Sequence, residues 1–416
     1  MSAAMAGGGV ARASAPGAAI WGRVVGRCGP RIGGSGRSPM PSTVRHFSRR
    51  IDGYLQYYGK LKNQEGMLRD RARVDAYKAA LESAPLQGAT VMDIGTGSGI
   101  LAFLAARAGA RRVYAVEASP PVARLASRLA RANGFGGVVQ VVPKHVEDIT
   151  EEEVPTGSVD VIVSELFSHF LVGELGLQAV TMAKKRFLRP GGLVLPATAE
   201  LKLSPFEDPS LGAELRLRHK FWMQRDYYGL DLSAAMPIAE EQQMRENIID
   251  VVRPESLLVP PEASPGYFLD LAGPDEPSHW RSIGFEVEFP HRPRDALIDG
   301  VCGWWDAFFN GAGEPAPVLS TSPAAPLTVW AQCRFLLNQP LRAAAKDRLI
   351  ASIDLKENKG RESYACWLEL RNATTKQAAR AGPIELSDVY ARQVPRVDGP
   401  EPGAAPPGGD SGSTPE

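Results

Sequence analysis

The stretch MDIGTGSGIL, residues 92–101, decides the fold class of this chain. An apolar run, ATVMDI, ends in an acid and is followed by glycines on alternate positions, Gly95, Gly97 and Gly99. A short apolar run of this kind is typical of a buried parallel strand. Glycines between a strand and a helix let the backbone come close to a ligand, and the start of the helix offers unpaired N–H groups. The stretch therefore predicts a strand, a ligand-binding turn and a helix that ends at Gly109.

Strands and helices continue to alternate after this turn. RRVYAVEAS ends in an acid followed by Ala-Ser, PPVARLASRLARANG opens with prolines and closes with Asn-Gly, and VVQVVPKHVEDI and VDVIVSEL follow. This order predicts an α/β fold, with a Rossmann-like open parallel sheet and helices on both faces. Before the sheet, an apolar stripe predicts a helix from Tyr54 to about Leu81.

Two acids stand at the ends of the first two predicted strands, Asp93 and, 24 residues later, Glu117. A carboxylate at the end of the second strand can accept hydrogen bonds from a ribose diol. Dinucleotide-binding turns also combine glycines with an acid, but at GxGxxG spacing. GxGxG spacing after a strand acid is more typical of S-adenosylmethionine binding. A tight turn that merely requires glycine is the structural alternative.

The pattern changes near Pro196. AELKL, SIGFEVEF, LTVWAQCRFLL, DRLIASIDLKE and ESYACWLEL alternate or run apolar, with turn residues between them. They predict an antiparallel, β-barrel-like domain over residues 197–394, interrupted by a polar helical arm at about 207–248. The N-terminal helices and the cofactor-binding domain then occupy residues 51–196.

Composition narrows the classes of function. The chain has 416 residues, 44% of them hydrophobic, which is enough for two packed domains. Lys plus Arg and Asp plus Glu both total 47, so no global basic field favours direct nucleic-acid binding. No apolar run is long enough for a membrane span. The four cysteines and six histidines form no ligand pairs, so we expect no metal.

Both ends of the chain have biased composition. Residues 1–50 contain eight arginines and no acid, which predicts either a disordered basic tail or a transit peptide to a mitochondrion or plastid. Residues 395–416 are rich in proline and glycine and are expected to be disordered.

A second informative stretch is SELFSHFLVGELGL, residues 164–177, which places Glu165 and Glu174 in apolar company. Nine residues of continuous helix would turn the two side chains to opposite faces, so a loop is needed to bring them together. A carboxylate pair beside a cofactor cleft suits a guanidinium, which binds carboxylates bidentately. The alternative is a helix-capping acid plus a separate acid in a structural salt bridge.

Several motifs in order resemble the protein arginine N-methyltransferase family, over roughly residues 54–370. YLQYYGKLKNQEGMLRDRARVDAYKAAL resembles its N-terminal helices, MDIGTGSGIL and VYAVEAS its cofactor motifs, SELFSHFLVGE its double-glutamate loop, and LSTSPAAPLTVWAQ its second substrate loop. The YxQxYG opening and the segment at 221–235 look most similar to the coactivator-associated branch. The resemblance implies methylation of arginine in proteins, including histones or Arg/Gly-rich proteins, with asymmetric dimethylation the expected product. It also implies a homodimer built by the helical arm, and a nuclear or cytoplasmic location.

Site residues also follow from the resemblance. Toward S-adenosylmethionine it implies Arg73 for the methionine carboxylate, Glu117 for the ribose, Asp93, Gly95 and Gly97 at the cofactor turn, and Val146 and Glu147 at the adenine. Toward the substrate it implies Glu165 and Glu174 as the guanidinium clamp, with Tyr58, Met67, His169 and Trp330 lining the site.

The substrate loops depart from the family pattern. Where the family reads SExMGY…ExM, this chain has Phe167, Ser168, His169 and Gly176, and where it reads THW this chain has Val329 between Thr and Trp. His169 is a candidate to replace the missing histidine. The departures leave two further hypotheses: a catalytically silent, cofactor-binding dimeric relative, and a methyltransferase for a small cationic metabolite. A dehydrogenase is a more distant alternative.

Overall fold

The glycine turn lies at the carboxyl edge of a five-stranded parallel sheet. A computed structural model describes residues 58–173, 176–273, 281–310, 318–358, 363–386 and 392–393. Strand order is β3-β2-β1-β4-β5, every neighbouring pair being parallel. The strands are β1 (Thr90–Ile94), β2 (Arg112–Val116), β3 (Val139–Val142), β4 (Val159–Ser164) and β5 (Leu188–Leu195). The predicted Rossmann-like sheet is therefore confirmed.

Helices connect these strands and precede them. They are α1 (Leu61–Arg69), α2 (Arg71–Ser83), α3 (Ile100–Arg107), α4 (Pro120–Ala132) and α5 (Gly176–Phe187), with a short 3-10 turn at Val146–Asp148. None of the helices among the described residues is long and apolar enough to cross a membrane.

The prediction of a single helix from Tyr54 to about Leu81 is wrong in one respect, because the helix is interrupted at Asp70. That residue has φ −72° and ψ 90°, outside the helical region, and its side chain accepts a hydrogen bond from the N–H of Arg73. Aspartate is a favoured N-cap because its carboxylate satisfies a free N–H of the first helical turn. The break therefore ends α1 at Arg69 and starts α2 at Arg71.

Pro190, Gly191 and Gly192 form a combination that is typical of a turn between elements. They lie instead inside β5, where the pairing with β4 jumps from Val159↔Leu188 to Val161↔Leu193. An irregularity of this kind absorbs extra residues without ending the strand, and Gly191 takes a φ of 72° within it.

Among the described residues, the strands of the second half pair antiparallel except for one short parallel pair, β16 with β7. This agrees with the predicted antiparallel, β-barrel-like domain. One sheet has the order β16-β7-β12-β10-β6-β8, with β11 added to β10, and a second has the order β15-β14-β13-β9. The strands are β6 (Thr198–Phe206), β7 (Ile248–Asp250), β8 (Gly266–Asp270), β9 (Ser282–Phe289), β10 (Ala296–Phe308), β11 (Val318–Ser320), β12 (Gln332–Ala343), β13 (Leu349–Asn358), β14 (Ser363–Asn372), β15 (Gln377–Glu385) and β16 (Arg392–Gln393).

Between β6 and β7 the chain forms a helical excursion, the arm, with α6 (Pro209–Trp222) and α7 (Met236–Met244). Large apolar side chains on the arm are exposed to solvent: Leu217, Phe221, Trp222, Met223, Tyr227, Tyr228, Leu230 and Ile238. An exposed apolar patch of this kind marks an interaction surface.

One hydrophobic core runs through both halves. It includes Val91 of β1, Phe170 after β4, Trp305 of β10 and Phe335 of β12. The loop after β4 contributes Phe170 to this shared core. Because packed interiors resist deformation, the loop is held in place by residues of both halves.

Candidate active site

The glycine turn is held by Asp93, which is fully buried at the end of β1. Its Oδ2 accepts hydrogen bonds from Thr96 Oγ1 at 2.5 Å and from the N–H of Ala102 at 3.1 Å, while among the described residues Oδ1 has no partner. Burial raises the pKa of this carboxyl to about 7. Asp93 therefore shapes the turn from beneath and ties it to the first turn of α3.

Two of the glycines have a left-handed backbone conformation and lie directly against neighbouring side chains. Gly95 has φ 71°, and a Cβ there would lie 2.5 Å from Cδ2 of Leu166. Gly97 has φ 56°, and a Cβ there would lie 3.0 Å from the side-chain oxygen of Gln64, a buried residue of α1. The turn is thus lined by α1 on one side and by the loop after β4 on the other.

Glu117 lies at the end of β2, beside this turn. Its two oxygens accept hydrogen bonds from the N–H groups of Gly97, at 3.0 Å, and Ser119, at 2.8 Å. Burial raises the pKa of this carboxyl above its usual range, an effect that the two N–H donors oppose. Each carboxylate oxygen still has a lone pair, so the group can accept further hydrogen bonds from a diol.

Val146 and Glu147 follow β3 in the 3-10 turn Val146–Asp148. Val146 is buried in a hydrophobic cluster that also contains Met92 and Val142, and Glu147 is exposed. The parallel sheet thus brings the ends of β1, β2 and β3 to one edge, which is where ligands bind in open α/β folds.

The loop after β4 is a tight hairpin. Ser168 and Leu171 exchange backbone hydrogen bonds, and the Ser168 hydroxyl accepts one from the N–H of Gly173 at 2.7 Å. A Cβ on Gly173 would lie 2.2 Å from this hydroxyl oxygen, so only glycine fits. Leu171 is buried and has a φ of 55°, a left-handed backbone conformation that residues other than glycine rarely adopt.

Tryptophans from the second half hold this hairpin. Trp305 Nε1 donates to the carbonyl of Ser168 at 3.0 Å, and Trp330 Nε1 donates to the carbonyl of Phe167, also at 3.0 Å. The rings of Phe167, Trp305 and Trp330 meet edge to face, with centroids 5.2 and 4.8 Å apart. Trp330 is followed by Ala331 at φ 48°, so the second loop also contains a left-handed residue.

His169 is buried between the two loops. Its Nδ1 donates a hydrogen bond to the carbonyl oxygen of Trp330. This hydrogen bond joins the hairpin to the segment that lacks the family's histidine.

Arg73 and Glu165 form an ion pair at the centre of the site. Arg73 Nη1 donates to Glu165 Oε2, and the other oxygen, Oε1, accepts from the N–H of Phe167 at 3.3 Å. The Arg73 guanidinium also lies 5.9 Å from the centre of the Trp330 ring. Burial raises the pKa of the Glu165 carboxyl to about 6, although Arg73 opposes the shift.

Sequence reasoning missed the supports of this pair. The Asp70 carboxylate accepts from the N–H of Arg73 at 3.1 Å and from that of Val329 at 2.6 Å, which joins α2 to the second loop. Tyr77, one turn further along α2, donates to the carbonyl of Ser164 at 2.8 Å. The only signal in the sequence was their spacing on α2, which is also typical of an ordinary helix surface.

The structure brings four predicted site residues together: Arg73, Glu165, His169 and Trp330. Tyr58 and Met67 are half-buried, the carbonyl of Tyr58 accepting from the buried Gln64 at 2.9 Å. Glu174, the second carboxylate of the predicted clamp, lies outside the described residues.

Matches to known proteins agree with this architecture. A family model described as the arginine methyltransferase oligomerization subdomain matches residues 197–372, and one described as ribosomal protein L11 methyltransferase matches residues 78–194. The chain is 33% identical over 353 residues to a probable histone-arginine methyltransferase CARM1 of Oryza sativa subsp. indica, and 32% identical over 365 residues to the histone-arginine methyltransferase CARMER of Drosophila virilis. This chain belongs to the protein arginine methyltransferase family.

The two alignments include 82% and 87% of this chain but 64% of each relative's length. Among solved structures, protein arginine methyltransferase 10 of Arabidopsis thaliana superimposes with a TM-score of 0.66 at 28% identity, over 79% of this chain and 99% of that one. The Trypanosoma brucei PRMT1 enzyme-prozyme complex with AdoHcy, at 24% identity and a TM-score of 0.65, shares the fold over 78% of this chain and 99% of that one.

Packing explains one departure from the arginine methyltransferase pattern. At Gly176, where the family has methionine, a Cβ would lie 2.5 Å from Cβ of Leu166 and 2.7 Å from its carbonyl oxygen. Leu166 is also the residue that packs on Gly95. The space that the family's methionine side chain would enter is therefore filled by Leu166 in this chain.

Proposed function

We propose that this chain is an S-adenosylmethionine-dependent protein-arginine N-methyltransferase. The observation that carries the proposal is Glu165, a largely buried carboxylate at the end of β4 that holds a guanidinium, that of Arg73. A pocket that accepts one guanidinium has the charge and hydrogen-bonding geometry for another. Leu166, the residue that follows Glu165, packs on Gly95 of the glycine turn.

The residues at the sheet edge fit S-adenosylmethionine. Gly95 and Gly97 provide a backbone surface without side chains, Glu117 accepts hydrogen bonds from ribose hydroxyls, and Asp93 holds the turn. Arg73 is the cation for the amino-acid carboxylate, and Val146 with Glu147 borders the adenine. When bound, the cofactor's sulfonium supplies an electrophilic methyl group.

The protein's task is mainly to place the acceptor nitrogen. Glu165 orients the substrate guanidinium and stabilises the positive charge that concentrates on one nitrogen. Glu174 is proposed as the second carboxylate of the clamp and as the group that takes the departing proton. His169 and Trp330 keep the two loops in register, and Tyr58 and Met67 line the acceptor side from the N-terminal helices.

The substrates and partners follow from the same proposal. We infer a protein substrate with an exposed arginine, and histones are favoured since the relatives are named as histone-arginine methyltransferases. Arg/Gly-rich proteins as further substrates and asymmetric dimethylation as the product are proposed from the resemblance of the sequence motifs alone. The arm's apolar surface supports a homodimer, in keeping with the oligomerization subdomain that matches residues 197–372. A histone substrate would require a nuclear or cytoplasmic location, and the basic segment 1–50 lies outside the described residues.

The test is radiolabelled methyl transfer to histones and to an Arg/Gly-rich protein, followed by mass spectrometry of the methylated arginine. Glu165→Gln should lower the rate at least about a hundredfold, because a neutral amide cannot stabilise the developing charge. The matched control is Glu82→Gln, an exposed glutamate on α2 that pairs with Lys78 and should leave the rate unchanged. No transfer by the intact chain at saturating cofactor would favour the catalytically silent relative, provided that S-adenosylhomocysteine still binds.

A further inference from the structure

Both oxygens of the Glu165 carboxylate already accept a hydrogen bond in this structure. Oε2 is paired with Arg73, and Oε1 accepts the N–H of Phe167. The side chains of Arg73 and Glu165 are only 9% and 12% exposed, so water does little to screen the pair. A second guanidinium on the same carboxylate would place two positive charges beside one negative charge in a poorly hydrated space.

Arg73 makes the contacts that a bound substrate arginine would make. Its guanidinium pairs with Glu165 and lies 5.9 Å from the ring centre of Trp330, a residue of the second substrate loop. Its backbone is fixed at the start of α2, because the N–H of Arg73 donates to the Asp70 carboxylate at 3.1 Å. Only the side chain is therefore free to change partner.

We propose that Arg73 is an internal occupant of the guanidinium site, which the cofactor's carboxylate draws away from Glu165, so that cofactor binding opens this site to the substrate arginine. The inference rests on the proposed function, and it gives Arg73 a second role as a positioning residue. A cofactor carboxylate is the anion expected to compete for Arg73, because guanidinium groups prefer carboxylates. The two ligands then bind with positive coupling.

Calorimetry on the full chain tests this, with a Gly-Gly-Arg-Gly-Gly peptide titrated in the absence and presence of saturating S-adenosylhomocysteine. We expect the peptide to bind the wild type at least about tenfold more tightly with S-adenosylhomocysteine, a factor typical of coupling between sites. The peptide should tighten S-adenosylhomocysteine binding by the same factor. This measurement needs no variant, and equal peptide affinities in the two states overturn the proposal.

Arg73→Gln separates this role from simple cofactor binding. If Arg73 only binds the cofactor, the substitution weakens S-adenosylhomocysteine binding and leaves cofactor-free peptide affinity unchanged. If Arg73 occupies the site, cofactor-free peptide affinity rises about tenfold, toward that of the wild type with S-adenosylhomocysteine. Arg71→Gln, at an exposed position of the same helix, is the matched control and should behave as the wild type.

The outcomes also separate this inference from the proposed function. Methyl transfer by a wild type that shows no coupling overturns the internal-occupant role and leaves the methyltransferase intact. Absence of both methyl transfer and peptide binding, in either cofactor state, overturns both.

Discussion

The cofactor turn and the substrate hairpin lie side by side, yet they are built differently. In the turn, Asp93 bonds to Thr96 and Glu117 bonds to Gly97, so the partners are close in the chain or on adjacent strands. In the hairpin, the backbone is held by Trp305 and Trp330, which are 137 and 163 residues away from the carbonyls they bind. The turn is thus set by local chemistry, whereas the hairpin depends on the second half of the protein.

The largest effect is expected in the turn, from Gly95→Ala. The new Cβ would lie 2.5 Å from Leu166, at a φ of 71°. We expect S-adenosylhomocysteine affinity to fall at least about a hundredfold, because the left-handed strain of about 1–2 kcal/mol is joined by displacement of Leu166 and by a methyl group in the turn proposed to approach the cofactor. Calorimetry measures the affinity.

Gly88→Ala is the matched control for this variant. Gly88 has a similar φ of 75°, but a Cβ there meets nothing within 4 Å. It should therefore lose stability by the conformational strain alone and keep its cofactor affinity. Equal losses of affinity in the two variants would contradict the role of close approach.

Binding of an arginine peptide at the hairpin should depend on pH through Glu165. Since the Glu165 carboxyl has its pKa raised to about 6, arginine-peptide binding at saturating S-adenosylhomocysteine should weaken about tenfold per pH unit below 6. Peptide affinity from pH 5 to 8 measures this, and Glu165→Gln should bind weakly with no such dependence. A wild-type profile that is flat across pH 6 would contradict the assignment.

Stability should respond to Glu165 in the opposite direction. Its folded pKa of about 6 lies above the ordinary value of 4.5, so the folded state binds more protons between these values. The contribution of this group to the free energy of unfolding is full below pH 4.5 and is lost as the pH rises through 6. Denaturant unfolding of wild type and Glu165→Gln should therefore diverge over this window.

Trp305→Phe tests the long-range support of the hairpin. An aromatic side chain is kept, but the smaller phenyl ring has no N–H and the Ser168 carbonyl loses its donor. We therefore expect a loss of about 1–3 kcal/mol in the free energy of unfolding and weaker peptide binding. Cofactor affinity should be unchanged. The matched control is Trp304→Phe, because the Nε1 of Trp304 is buried and has no partner among the described residues. Equal effects of the two substitutions would contradict a specific role for the hydrogen bond from Trp305 to Ser168.

The smallest effect is expected where the family's histidine is absent. Val329 is half-buried and contributes its backbone N–H to Asp70, so Val329→His should change stability by less than about 1 kcal/mol. If His169 has taken over that histidine's role, then His169→Ala lowers kcat/KM and Val329→His restores part of the loss. Failure of the double variant to recover any activity would assign His169 to packing alone.

The contrast between local contacts in the turn and long-range contacts in the hairpin also explains which features could be predicted from the sequence. The glycine turn, the alternating strands and the antiparallel second half follow from residues that are neighbours in the chain, and the fold was predicted correctly on that basis. The break at Asp70 was missed, because the apolar stripe continues across it and the deciding hydrogen bonds come from a cap and from Val329.

By itself, then, the sequence determined that the first sheet is parallel and the second half antiparallel. It also determined the position of the turn and the candidate carboxylates, because backbone periodicity and glycine conformation are local properties. Only the tertiary structure decided that Arg73 pairs with Glu165, that Leu166 fills the space beside Gly176, and that two tryptophans hold the hairpin. These contacts join segments that are far apart in the chain. Their partners are selected by packing at the joint between the two halves, which no local pattern records.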